Sequence, residues 1–80
     1  MADFSVTLDA DGSVFLNREE VRVSDLGEAI TNQLEPEQES LITIRADKKV
    51  FHGQVVEAMD ILRSIDRARI GIATQPKASE

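Results

Sequence analysis

Arg45, Lys48 and Lys49 form the densest cluster of positive charge in this chain, and Asp47 stands among them. An aspartate beside a lysine is a pair that acid–base chemistry can use when burial lowers the lysine pKa. The same cations, placed where a strand gives way to a helix, could instead hold a carboxylate, because basic side chains and the first amides of a helix favour anions together. The plainer reading is a solvated turn, where such pairs are common. His52 is the one histidine, and no second histidine or cysteine stands at metal-ligand spacing. It reads as a loop residue near a helix start. Asp9, Asp11 and Gly12 suggest a calcium loop, but the full spacing and the terminal glutamate of such loops are missing. Tight-turn chemistry accounts for them. No serine, cysteine or lysine nucleophile is joined to an ordered base, and there is no glycine-rich phosphate loop. The sequence is therefore read as non-enzymatic, without a metal or cofactor.

The elements that must position these residues can be taken in order. Phe4, Val6 and Leu8 alternate with polar residues as on a half-buried strand. A three-residue loop, with Gly12 in the left-handed region, pairs Leu8 with Val14 and Val6 with Leu16 and gathers five apolar side chains on one face. Phe15 then points to the other face. Asn17 to Glu20 reads as a polar turn leading to Val21-Arg22-Val23, long enough only for a brief strand or an extended link. Ser24 is placed as the N-cap of a helix whose apolar face is Leu26, Ala29, Ile30 and Leu34, ending near Leu34 because Glu35 precedes proline. Leu41 to Ala46 is β-branched and bounded by turn residues, the strongest strand signal and one placed centrally in the sheet. A second helix follows His52-Gly53 and runs to about Ile65, burying Val55, Ala58, Met59, Leu62 and Ile65. Arg69 to Thr74 is a last strand, parallel to the one before the helix.

The resulting fold class is α+β: a small two-layer sandwich in ββαβαβ order, with both helices on one face of a mixed sheet. The domain spans residues 4–75 and residues 76–80 are a flexible polar tail. Thr7, Phe15, Leu41, Thr43 and Arg45 fall on the sheet face without helices, a mixture that invites binding more than burial. The candidate binding residues are accordingly Arg45, Asp47, Lys48, Lys49 and Phe15.

Composition narrows the classes of function. Eighty residues allow one domain, and 41% hydrophobic with 30% charged residues describes a chain that folds. Nine basic against fifteen acidic residues give a net charge of -6, which repels phosphate backbones and argues against nucleic acid as a partner. There is no cysteine, hence no disulfide framework, and no apolar run approaches the length of a membrane span.

The ordered set Arg45-Ala46-Asp47-Lys48, Val50, Val56, Met59-Asp60, Leu62 and Gly71-Ile72-Ala73 resembles the periplasmic domain of the ExbD/TolR family. The likeness extends back to Val6-Thr7-Leu8-Asp9, Asp11-Gly12 and Leu16-Asn17. At Arg18 the chain differs from the many relatives that carry glycine after the asparagine, which puts the shape of that turn in question. The resemblance implies the periplasmic end of a stator or motor in the inner membrane of a Gram-negative bacterium, coupling the proton-motive force to work at the outer membrane. It implies a transmembrane helix ahead of Met1 that carries the proton-passing aspartate, so no residue of this chain inherits that role. It also implies an ExbB/TolQ-type membrane partner, homodimerisation, contact with a TonB- or TolA-type energy transducer, and attachment to peptidoglycan. Arg45 to Lys48 and Val56 to Asp60 look more like ExbD, whereas Thr74-Gln75-Pro76 looks more like TolR. The balance favours ExbD and its role in TonB-dependent uptake. From the residues alone, a soluble small-molecule-binding or regulatory domain remains the alternative.

Overall fold

A computed structural model describes residues 1–74. The tail expected at 76–80 lies outside them. The elements are β1 (Ala2–Leu8), β2 (Val14–Leu16), β3 (Glu19–Val21), a 3-10 turn (Val23–Asp25), α1 (Leu26–Thr31), β4 (Ser40–Ala46), α2 (His52–Arg63) and β5 (Ala68–Thr74). They form a mixed five-stranded sheet in the order β3-β2-β1-β4-β5. β1, β4 and β5 are parallel, and β2 and β3 are antiparallel to their neighbours.

The β1–β2 hairpin takes the expected register, Leu8 opposite Val14 and Val6 opposite Leu16. Gly12 sits at φ +94°, a region costly for any residue with a Cβ. The Asp9 amide donates to Ser13 O (2.9 Å), and the Gly12 amide donates to Asp9 O (3.0 Å). All five apolar side chains assigned to one face are buried.

The next turn is tighter than the sequence suggests. Only Asn17 and Arg18 separate Leu16 from its partner Glu19, so the link becomes a third short strand with Val14 opposite Val21. Asn17 supplies the positive φ (57°), while its amide donates to Ser5 O (2.7 Å) and its Oδ1 accepts from the Ser5 amide (3.0 Å). Asparagine tolerates this conformation, and Arg18 is not among the positive-φ residues, so this turn does not need glycine at position 18.

Helix α1 is shorter than expected, and Ser24 does not cap it. Val23–Asp25 form a 3-10 turn whose flanking residue is Arg22, and α1 proper follows Asp25 without a side-chain cap bond. The early turn has used the position that Ser24 would have capped. After Thr31 the chain continues in i+3 turns, with Gln33 donating to Ile30 O and Leu34 to Thr31 O (both 3.0 Å). The helical course thus reaches Leu34 as a tightened last turn.

β4 is interior, paired residue for residue with both β1 and β5, although β1 is the middle strand. Its Ile42 and Ile44 are fully buried beneath the helices together with Leu26, Ile30 and Leu62. Each such side chain contributes on the order of 1.5–3 kcal/mol relative to exposure. Of the α2 stripe, Ala58 and Leu62 are fully buried, and Val55, Met59 and Ile65 pack partly buried against the core. The helices approach closely at Gly27, where an added Cβ would lie 3.3 Å from Ile61 Cγ2.

Ser40, the first residue of β4, is fully buried, and its Oγ has no hydrogen-bond partner among the described residues. A buried hydroxyl without a partner costs about 1–3 kcal/mol of desolvation. Ser40→Ala should therefore leave stability unchanged or raise it by up to ~1 kcal/mol in urea unfolding. A loss larger than that would show that the hydroxyl has a partner.

Asp11 makes an Asx turn: the Ser13 amide donates to its Oδ1 at 3.0 Å. That backbone bond, reinforced by the Ser13 hydroxyl, holds the exposed Asp11 carboxyl below its ordinary 3.8. A depressed folded-state pKa contributes stability that is complete above the unfolded value and is lost as pH falls through the folded one. Following the Ser13 amide by NMR from pH 6 to pH 2 should give a midpoint below 3.8, and Asp11→Asn should abolish that transition. A midpoint at or above the ordinary value would mean that the turn does not hold the carboxylate in solution.

Candidate binding surface at the end of the parallel strands

All five candidate binding residues lie toward one end of the sheet, where β1 and β4 finish and β2 begins. Register fixes one row across the helix-free face: Glu20, Phe15, Thr7, Arg45 and Ala73 are successive cross-strand partners. Phe15 and Arg45 thus share a row two strand spacings apart, about 10 Å. Phe15 and Thr7 are half-buried and Arg45 is exposed. Leu41 and Thr43 occupy the same face nearer the start of β4. It is a mixed face, too polar for a second core.

Asp47, Lys48 and Lys49 follow β4 in a turn that the backbone closes. The Asp47 amide donates to Leu8 O, extending the β1–β4 ladder by one step, and the Val50 amide donates to Asp47 O (both 3.0 Å). Asp47 Oδ1 accepts from the Lys49 amide at 2.8 Å. Asp47 is therefore a turn former first, with one oxygen engaged by backbone. Val50 is anchored against the core, while Lys48 and Lys49 project into solvent. The two lysines are thus presented, but on long mobile stems.

His52 is the first residue of α2 and is exposed, and no cluster of three or more potential metal ligands occurs among the described residues. One cleft opens between the ends of the helices and another beside the β1–β2 turn. Neither is lined by Arg45, Asp47, Lys48, Lys49 or Phe15. The basic cluster presents a surface, not a pocket.

Sequence reasoning missed three apolar side chains at this end of the fold. Phe51, which precedes α2, is 77% exposed; Ile72 on β5 is 55% exposed and Val56 on α2 is 41% exposed. Ile72 belongs to the helix-covered face through its pairing with Ile44, yet it lies on an edge strand that α2 covers incompletely. An aromatic in an otherwise charged turn was the available signal for Phe51. Nothing in the alternation of β5 distinguishes Ile72 from Ile70, which packs against the core. Among the described residues β5 pairs on one side only, so its outer edge offers backbone donors and acceptors beside these side chains.

Comparison with known proteins bears on the whole chain. The family described as "Biopolymer transport protein ExbD/TolR" matches residues 2–77. A putative biopolymer transport protein ExbD from Synechocystis sp. is 27% identical over 73 residues, which make up 91% of this chain and 27% of that relative. The chain thus spans about a quarter of the length of the relative it matches. With a match from the start of β1 past the end of β5, and a fold in which that stretch forms one sheet with its two helices, the chain belongs to the ExbD/TolR family of biopolymer transport proteins.

Proposed function

We propose that this domain is the periplasmic end of a membrane-anchored stator or motor protein that couples the proton-motive force to transport at the outer membrane, and that it works by non-covalent docking. The observation that carries the docking mode is the one-sided pairing of β5, whose outer edge runs past exposed Ile72 toward the end of the fold that carries Lys48 and Lys49. A partner segment adding to that edge would gain main-chain hydrogen bonds, and its side chains would reach the apolar and basic groups alongside. The partner is the periplasmic part of a TonB- or TolA-type energy transducer, with the TonB system favoured. Carboxylates of that segment, or of peptidoglycan stem peptides, would be drawn to Arg45, Lys48 and Lys49. An ExbB/TolQ-type protein would be engaged through a membrane anchor. No helix among the described residues is long and apolar enough to cross a membrane, so the anchor would be a separate segment.

The domain also self-associates in this reading, through its uncovered sheet face and edges. A homodimer would gain effective concentration when two anchors share a membrane.

Titrating the labelled domain with a periplasmic segment of the transducer should move amides of β5 and of residues 45–49. Lys48→Glu together with Lys49→Glu should weaken that binding about tenfold, the effect of roughly 1.4 kcal/mol. Shifts confined to the two chain ends would overturn the site. In sedimentation, the isolated domain should pass from monomer toward dimer as concentration rises; a strict monomer at high concentration would count against self-association of the domain alone.

A further inference from the structure

The parallel strands run from one pole of the molecule to the other, and the proposed docking surface uses only the pole where they end. At the pole where β4 and β5 begin, an open cleft of about 730 Å³ lies between the ends of the two helices. Its charged lining is one-sided: Glu28, Glu35, Glu37 and Asp66 stand against the single guanidinium of Arg67. Leu34, Pro36 and Ile65 contribute apolar surface to the same walls. The end of α1 adds to the negative field, because it closes in this cleft with no basic residue in its last turn to offset its carbonyls; α2, whose C-cap Ser64 lines the other side, carries Arg63 in its last turn and adds less.

We propose that this cleft is a second docking site, and that its occupant is a segment of a partner protein carrying a lysine or arginine. Charge complementarity selects the occupant. A long basic side chain can lay its methylenes on Leu34, Pro36 and Ile65 while its cationic head meets the carboxylates and the helix carbonyls. An acidic segment would be repelled from the same cleft, which separates this site from the Lys48–Lys49 pole in the chemistry it accepts. The cleft volume falls in the range that binding clefts occupy, about 300–1,000 Å³. The two sites lie roughly 20 Å apart, the length of a seven-residue strand. One extended partner of alternating charge, or two separate partners, can therefore occupy both.

The test uses the 80-residue chain, isotopically labelled, and three probes: a short unstructured peptide carrying lysine and valine, its counterpart with glutamate for lysine, and sodium chloride. The lysine peptide should shift amides in 31–38 and 64–67 in a saturable way, whereas the glutamate peptide should leave them unmoved. Glu35→Gln with Glu37→Gln should weaken the lysine peptide at least fivefold, and Glu19→Gln with Glu20→Gln on the β3 edge should not. Salt should weaken binding without moving its location. Shifts spread over every acidic surface, or binding indifferent to the Glu35 and Glu37 changes, would overturn the proposal. Failure here would leave the β5 edge reading intact, because the Glu35 and Glu37 changes lie away from residues 45–49 and β5, and any shift that the glutamate peptide causes at 45–49 reports on that other site.

Discussion

The residue-for-residue parallel pairing of β4 with both β1 and β5 is the constraint on which the rest of the structure depends. Parallel neighbours cannot be joined by a tight turn, so the chain must cross the sheet between β1 and β4 and again between β4 and β5. Both crossings step in the same direction along the sheet, and the right-handed rule then places them on the same face. Hence α1 and α2 share one layer, Ile42 and Ile44 are buried beneath it, and the opposite face has no covering element among the described residues. The fold is two layers because the second pairing repeats the hand of the first.

That arrangement also decides what kind of chemistry the molecule can offer. The single compact core uses its apolar side chains for packing and leaves the charged residues on turns and strand ends. Asp47 and Asp11 each accept a hydrogen bond from a nearby amide, which assigns them to turn geometry before any other role. Around them the surface is differentiated by pole, with lysines beyond the end of β4 and carboxylates around its start. A chain built this way presents edges, faces and poles to other macromolecules. That is compatible with membership in the family of biopolymer transport proteins.

Much of the fold was legible in the sequence because its signals are local. Alternation in β1 and β2, with glycine at the one position that needs φ +94°, fixed the hairpin register; the β-branched run 42–44 located the interior strand; and helical spacing from Val55 to Leu62 marked α2. The basic turn was visible as composition. What local signals could not show was competition between neighbouring turns. Ser24 is a good N-cap in isolation, but it lies inside a 3-10 turn from Val23, and Glu19 to Val21 form an edge strand because they pair with Leu16, Phe15 and Val14.

By itself, then, the sequence determined the class of fold, the main register, the acidic balance of charge and the position of the cationic cluster. These follow from side-chain periodicity, backbone preference and charge, which each residue carries wherever it lies. Only the tertiary structure decided which apolar residues remain in water and which charges face one another. Ile70 and Ile72 have the same local pattern, yet one packs against the core and the other is exposed, because α2 reaches only part of the edge strand. Asp66 is distant in the chain from Glu28 and Glu35, yet all three line one cleft because the ends of two helices converge there. Exposure and long-range charge proximity are properties of packed surfaces, and a one-dimensional pattern does not contain them.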